Sequence, residues 1–401
     1  MKKIFYLLIL LFSLSSCFMS KTVRLAKKGA VVEKQFDKTI PFEYIKDYIV
    51  IEVSIQNRPF HFVFDTGAFV SALDKKSLEG IALDVKSHSK IGSSSGKAQK
   101  TDMVLIDELK IGGIRFQNTG AVLLDMSESL NALGGCYHID GVLGNNVMRK
   151  ANWQIDYENK KIRFTDDMTN FSVSKEAYSY KMNPKKWGNT RLPVTIEGVQ
   201  KYYTFDTGFG GLILSSYKYL EQVKEKNPNT KTALLKNELG FDLYGEYTKD
   251  SQRAIAKSIS IGDYQLTNKL VRYRENGSSL VGNKFFEHFL LTIDSDHHQL
   301  LLDSISDFKA DSLEVFELML RPDYRHNQIK VVAEWADHPL KDSIPSGVPI
   351  LKIEGHDVAH LTKEELCDFW DNTWVNLIKK KKITIETAEG KRVLTKKLLL
   401  F

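Results

Sequence analysis

The chain has 401 residues, 42% of them hydrophobic and 26% charged, with 25 glycines and nine prolines. This composition reads as globular, excludes a disordered or low-complexity chain, and suits two or three domains. The 56 basic and 50 acidic residues leave a formal charge of +6, and the scattered bases exclude the clustered, aromatic-interleaved footprint of a nucleic-acid binder.

At the N-terminus, Lys2 and Lys3 precede an apolar run from Ile4 to Phe12 and then Leu14-Ser15-Ser16-Cys17. The run is too short to span a bilayer and has the layout of a signal peptide. Small residues ending in Cys resemble a bacterial lipobox, which implies cleavage before Cys17 and lipidation of its thiol; a plain signal peptide is the alternative. Acyl chains contribute about 0.8 kcal/mol per buried methylene, so several would hold the protein to a membrane. Residues 1–17 are therefore expected as a lipoprotein signal peptide and 18–42 as a linker. Phe18, Met19 and Ser20 place no Asp after the Cys. That favours a cell-envelope location at the outer membrane, facing the periplasm.

The first lobe is expected over residues 43–166. Ile51, Val53 and Ile55 alternate with polar neighbours, a turn follows at Asn57-Arg58-Pro59, and Phe60, Phe62 and Phe64 alternate again. Period-two apolar spacing with an intervening turn predicts a hairpin with one face on a core. The hairpin ends on Asp65-Thr66-Gly67. Gly92-Ser93-Ser94-Ser95-Gly96 follows, before a strand pattern at Met103 to Ile106. This glycine-rich stretch lacks the spacing of a phosphate loop. Val142-Leu143-Gly144-Asn145 and a second hairpin, Gln154 to Phe164, close the unit.

Residues 167–305 repeat the pattern. LPVTI at 192–196 matches IEVSI at 51–55, Gly198 matches Asn57, and Phe205-Asp206-Thr207-Gly208 matches Phe64-Asp65-Thr66-Gly67, all at one offset, 206 − 65 = 141. Leu280-Val281-Gly282-Asn283 matches Val142-Leu143-Gly144-Asn145, and Leu291-Thr292-Ile293-Asp294 matches Trp153-Gln154-Ile155-Asp156, at 282 − 144 = 138. His297 and His298 fall in the last turn and read as solvated turn residues. Cys136 and Cys367 are expected in different domains, unbridged and without metal-site spacing. Duplicated β units pack about a pseudo-twofold axis, which sets equivalent loops face to face. Asp65 and Asp206 then meet. Two adjacent carboxylates cannot both ionise easily; one stays anionic and accepts a proton from water, and the other stays protonated and polarises a carbonyl. Thr66 and Thr207 are expected to bond across the axis, and Gly67 and Gly208 to permit close backbone approach.

The two Asp-Thr-Gly triplets, each followed about 75–80 residues later by two apolar residues and Gly, make residues 43–303 resemble the pepsin/retropepsin family of aspartic proteases. The short copies resemble retropepsin units fused in one chain. The resemblance implies two β lobes, a cleft, a water nucleophile acting on a peptide or protein substrate, no cofactor and no metal. It also implies glycine-containing flaps, for which Gly92 to Gly96 and Tyr244-Gly245 are the candidates; an ordinary surface loop is the alternative for both. With both lobes in one chain, a monomer is expected. Phe209 departs from the small residue usual after the second triplet, and it favours the alternative of a catalytically degenerate, peptide-binding envelope lipoprotein.

Residues 306–401 follow a different pattern. A helix is expected at Asp311 to Leu320 and a strand at Ile329 to Ala333. Thr362 with Glu365 forms a capping box, flanked by Leu361 and Leu366, so a helix starts there. Two closing strands, Ile383 to Thr387 and Arg392 to Leu400, are expected around a turn at Glu389-Gly390, and the run Lys379 to Lys382 reads as a solvated strand end. His338-Pro339-Leu340 and Gly347 to Gly355 make this α+β order resemble a bacterial PDZ domain. Such domains take an extended peptide as an added strand, here near residues 318–333. The whole is expected to be mainly β: two pseudo-twofold-related lobes and a PDZ-like unit.

Overall fold

The alternation of Ile51, Val53 and Ile55 with polar residues folds as a hairpin. Tyr48–Ile55 and Arg58–Phe64 pair antiparallel, with Val53 opposite Phe60 and Ile51 opposite Phe62. The turn holds Gln56 and Asn57 at φ 50° and 62°; in the second copy Glu197 and Gly198 sit at 50° and 78°. Two successive positive φ values match the twist of the flanking strands, which explains an Asn or Gly at the matched position. The computed structural model describes residues 23–93, 96–126, 136–182, 190–275, 277–340 and 343–400. The molecule is mainly β, and among the described residues its larger sheets have nine, six and twelve strands. No helix among these residues is long and apolar enough to cross a membrane.

The nine-stranded sheet belongs to the first lobe. The twelve-stranded sheet runs through the second lobe and on into the C-terminal unit. The six-stranded sheet joins the two halves: Asn152–Asp156 lies antiparallel to Phe289–Asp294, with Trp153 opposite Ile293 and Ile155 opposite Leu291. Gln154 therefore faces Thr292, its own counterpart in the repeat, since 292 − 154 = 138. Its Nε2 donates to the Thr292 hydroxyl at 3.1 Å. A residue facing its own repeat image marks the pseudo-twofold axis. One continuous core spans both lobes and contains Trp153, stacked on Phe164 with ring centroids 4.8 Å apart.

Three expectations are corrected. Within the expected linker 18–42, the described residues 23–42 are more than a linker: Asp37–Pro41 pairs with Lys161–Thr165 at the edge of the joining sheet, and Leu25, Ala26 and Phe36 are buried. The stretch Asp311 to Leu320 is not a helix. It forms the strands Leu313–Val315 and Leu318–Asp323. Phe316, Leu318 and Leu320 are buried, as is Glu317 between them, and ladder pairing with Lys397–Leu400 and Gln328–Trp335 outweighs the helix-forming character of the segment,. Cys136 and Cys367 are bonded, with their Cα atoms 5.8 Å apart. Folding brings the first lobe against the C-terminal unit, which the separation of 231 residues hides in the sequence.

The C-terminal unit has its own core around Ile329, Ile350, Leu366, Ile383 and Leu394. Thr362 caps its helix. The Thr362 hydroxyl accepts from the Glu365 N–H at 3.2 Å, and the Glu365 carboxylate accepts from the Thr362 N–H at 2.8 Å. The helix Lys363–Asp368 widens into a π turn at Phe369–Thr373 before continuing as Trp374–Leu377. The unit is not a free appendage. Gln328–Trp335 pairs with Ala233–Asp242 of the second lobe, with Leu235 opposite Trp335.

Candidate active site

Each aspartate stands where a strand gives way to a loop. Arg58–Phe64 runs parallel to Gly141–Leu143, and the Asp65 N–H donates to the Leu143 carbonyl at 3.0 Å. Val199–Phe205 runs parallel to Leu280–Val281, and the Asp206 N–H donates to the Val281 carbonyl at 3.0 Å. The apolar pairs before Gly144 and Gly282 are thus the strands that hold the Asp-Thr-Gly loops. A short helix follows each, Asn145–Met148 and Asn283–Phe286.

The loops grip each other through their threonines. The Thr66 N–H donates to the Thr207 hydroxyl and the Thr207 N–H to the Thr66 hydroxyl, both at 3.0 Å. The hydroxyls donate in turn to the carbonyls of Phe205, at 3.1 Å, and Phe64, at 2.6 Å. Both threonines are buried, where unmade hydrogen bonds are costly. Gly67 N–H donates to its own lobe's Asp65 carboxylate at 2.7 Å, and Gly208 N–H to Asp206 at 2.9 Å. A Cβ on Gly67 would collide with the Asp206 carboxylate, and one on Gly208 with that of Asp65. Glycine at these positions lets the carboxylates meet.

The carboxylates of Asp65 and Asp206 are hydrogen-bonded to each other at the floor of a cleft that both line. Burial pushes Asp65 above the ordinary carboxylate range. The hydrogen bond from Asp206 and the N–H groups of Ala68 and Gly67 oppose that push. Asp206 is pushed up as well, by burial and then by the negative charge of Asp65. Two carboxyls this close do not both ionise easily, so the pair holds one proton between them and titrates as a unit. The lobes differ at the next residue: Ala68 N–H donates to the Asp65 carboxylate at 3.0 Å, whereas Phe209 N–H donates to the Asp206 backbone carbonyl at 3.2 Å.

Phe209 does not lie across the pair. Its ring is buried in the cleft wall beneath the guanidinium of Arg272, 5.3 Å from the ring centre. Gly211 and Gly282 make room, since a Cβ on either would collide with Phe209.

Both flap candidates fall on hairpins over the cleft. Asp84–Gly92 and Ala98–Ile111 pair up to Gly92 and Ala98, and Gly92 and Ser93 line the cleft. Ser93 N–H donates to the Lys97 carbonyl at 2.8 Å, and Gly96 turns the chain at φ 88°. Ser94 and Ser95 lie outside the described residues, as do Cys17 and the whole of residues 1–17. In the second lobe Ala233–Asp242 pairs with Gly245–Ala256, and Gly245 at φ 99° closes the turn. The Tyr244 hydroxyl donates to the Ile91 carbonyl at 2.6 Å, so the two hairpins touch over a cavity of about 890 Å³.

Several site residues escaped the sequence reading. Asn145 and Asn283 each use the side-chain amide to donate to the carbonyl of a threonine in the triplets, Thr66 and Thr207. Their backbone N–H groups donate to Ala68 and Phe209 carbonyls, both at 2.9 Å. Their matched positions in the repeat were a visible signal. Tyr48 lines the cleft beside both aspartates, and burial pushes its hydroxyl up to about 12, so it stays protonated and able to donate. From the C-terminal unit, Arg321, Pro322, Tyr324 and Trp370 also line the cleft.

The sequence model of the family described as aspartyl protease matches residues 51–147. This span runs from the first hairpin through Asp65 to the helix at Asn145, so the likeness to that retropepsin-like family is carried by the first lobe. It supports an aspartic-peptidase type of site. No curated protein matches the chain.

Proposed function

We propose that the protein is an aspartic endopeptidase that hydrolyses peptide bonds with a water activated by Asp65 and Asp206. The observation that carries this reading is the hydrogen-bonded pair of carboxylates, one from each repeat, held by reciprocal threonine bonds. A water between them gives one proton to Asp65 as its oxygen attacks the carbonyl carbon. Asp206 passes its proton to the carbonyl oxygen. The resulting diol collapses as the C–N bond breaks, the leaving nitrogen takes the proton held by Asp65, and a diol hydroxyl returns one to Asp206. The pair ends with one proton, as it began. The flap hairpins limit water in the cleft and hold the peptide in extended form.

The C-terminal unit is read as a PDZ-like module that recruits the peptide or protein substrate. Leu318–Asp323 supports this: it ends the twelve-stranded sheet and leads into the cleft-lining residues Arg321, Pro322 and Tyr324. A strand added there would run toward the active site. The lipobox at Cys17 supports a lipid-anchored envelope protein, and the pairing of both lobes within one chain supports a monomer.

Asp65→Asn and Asp206→Asn, made separately, should each lower cleavage of unfolded casein between pH 3 and 7 by at least about 10²–10⁴-fold, the usual share of acid–base catalysis. Full activity in either variant would sink the dyad. The asymmetric hydrogen bonding at Phe209 favours a second reading, a peptide-binding protein with an inert cleft. Binding of casein peptides with no hydrolysis over hours would establish it.

A further inference from the structure

The wall of the cleft beside Phe209 carries an unbalanced charge. Glu238 accepts from Arg253 at 2.7 Å and from Arg272 at 3.2 Å, and pairs with Arg274 at 3.2 Å. Among the described residues every ion pair of these three guanidiniums goes to this one carboxylate. Three positive charges against one negative leave two, in a place where Glu238, Arg253 and Arg274 are all buried. Burying an uncompensated charge is costly. Burial lowers Arg272 to about 10, a sign of the same imbalance.

The three arginines are not equivalent. Arg253 is buried, does not line the cleft of the aspartates, and also donates to the Ser251 hydroxyl at 2.8 Å. Arg274 donates to the Tyr247 hydroxyl at 3.0 Å. Arg272 has a single hydrogen bond to Glu238, sits over the Phe209 ring and keeps about a quarter of its side chain exposed. Arg272 and Arg274 both line the cleft that holds Asp65 and Asp206. The rim carboxylates Glu246 and Glu275 are exposed to solvent, where water screens their charge. The free edge of a guanidinium at a desolvated wall matches the planar, two-oxygen face of a carboxylate.

We propose that Arg272 and Arg274 form a pocket for an acidic side chain of the bound peptide, so that the cleft selects substrates with Asp or Glu close to the bond that is cut. The assignment rests on the peptidase reading and names its substrate class. Phe209 gains a role in it: its ring, under the Arg272 guanidinium in the same wall, helps hold that side chain at the cleft.

The test uses the full chain and short fluorogenic peptides in which a single Glu is moved through the positions flanking the cleaved bond, each with a Gln twin and a Lys twin. At one position the Glu peptide should be cut with a kcat/KM about 10- to 100-fold above its Gln twin, the range for a charge-assisted hydrogen bond. Arg272→Glu should shift the preference toward the Lys twin, and Arg272→Lys, which keeps the charge and loses the fork, should retain part of it. Equal rates for Glu and Gln at every position overturn the pocket and leave the peptidase reading standing. Binding of the same twins is followed by fluorescence anisotropy on Asp206→Asn. A preference for Glu there, with no cleavage by the unaltered protein, sinks the peptidase reading and keeps the pocket. No preference there overturns the pocket.

Discussion

Asp206 carries a liability that the proposed peptidase role explains. A carboxyl raised in the folded state binds its proton more tightly there than in the unfolded chain. Its contribution to stability is whole below the ordinary value of 3.8 and declines as pH rises toward the folded value,. Asp206→Asn should therefore raise the melting temperature at pH 7 relative to the unaltered protein and change it little below pH 3.8, a comparison calorimetry makes directly. Thr207→Val removes the hydroxyl that accepts from Thr66 and donates to Phe64. It leaves a buried N–H unpaired and should destabilise by about 1–3 kcal/mol in urea unfolding. Gly208→Ala forces a Cβ against the Asp65 carboxylate, so it should remove most activity while leaving the fold intact by circular dichroism.

Among the elements, the flap hairpin of the second lobe has the most at stake. Its strands carry Glu238 and Arg253, and the neighbouring strand Lys269–Arg274 carries the other two arginines. Burial alone would raise Glu238, but the charges of Arg253, Arg272 and Arg274 more than offset it and hold the carboxyl well below its ordinary 4.5. A lowered value stabilises the folded state above pH 4.5, and that stability is lost as pH falls,. Glu238→Gln strips the only partner common to the three guanidiniums among the described residues and should cost about 3–5 kcal/mol at neutral pH. The loss should shrink toward acid pH, where Glu238 in the unaltered protein also begins to take up its proton; urea titrations at both pH values would show it.

For the whole molecule, the C-terminal unit forms part of the cleft as well as a domain of its own. The disulfide Cys136–Cys367 ties it to the first lobe. Beside that bridge, Asp371 accepts from the Tyr137 hydroxyl and pairs with Lys46. The π turn that presents Asp371 also presents Trp370 to the cleft, in keeping with the association of such turns with functional sites. Reduction of the bridge, or Cys367→Ser, should lower stability by about 2–4 kcal/mol. It should also speed limited proteolysis between the second lobe and the C-terminal unit, which gel electrophoresis would detect.

Much of this was legible in the residues themselves. Two Asp-Thr-Gly triplets at a fixed offset, each at the end of an alternating hairpin, fix that two acids meet, because a repeated β unit buries its apolar face only against its twin. The Thr362-to-Glu365 spacing also gave the capping box, and local periodicity the mainly β class. It misread Asp311 to Leu320, where the burial that chose a strand comes from distant residues. Four findings lay beyond the reach of sequence: the bond between Cys136 and Cys367, the turning of Phe209 into the wall, the arrival of Trp370 and the gathering of three arginines about Glu238. The disulfide and Trp370 depend on the C-terminal unit packing against the lobes, and the arginine cluster and Phe209 on strands of the second lobe pairing in register; no local pattern encodes either approach.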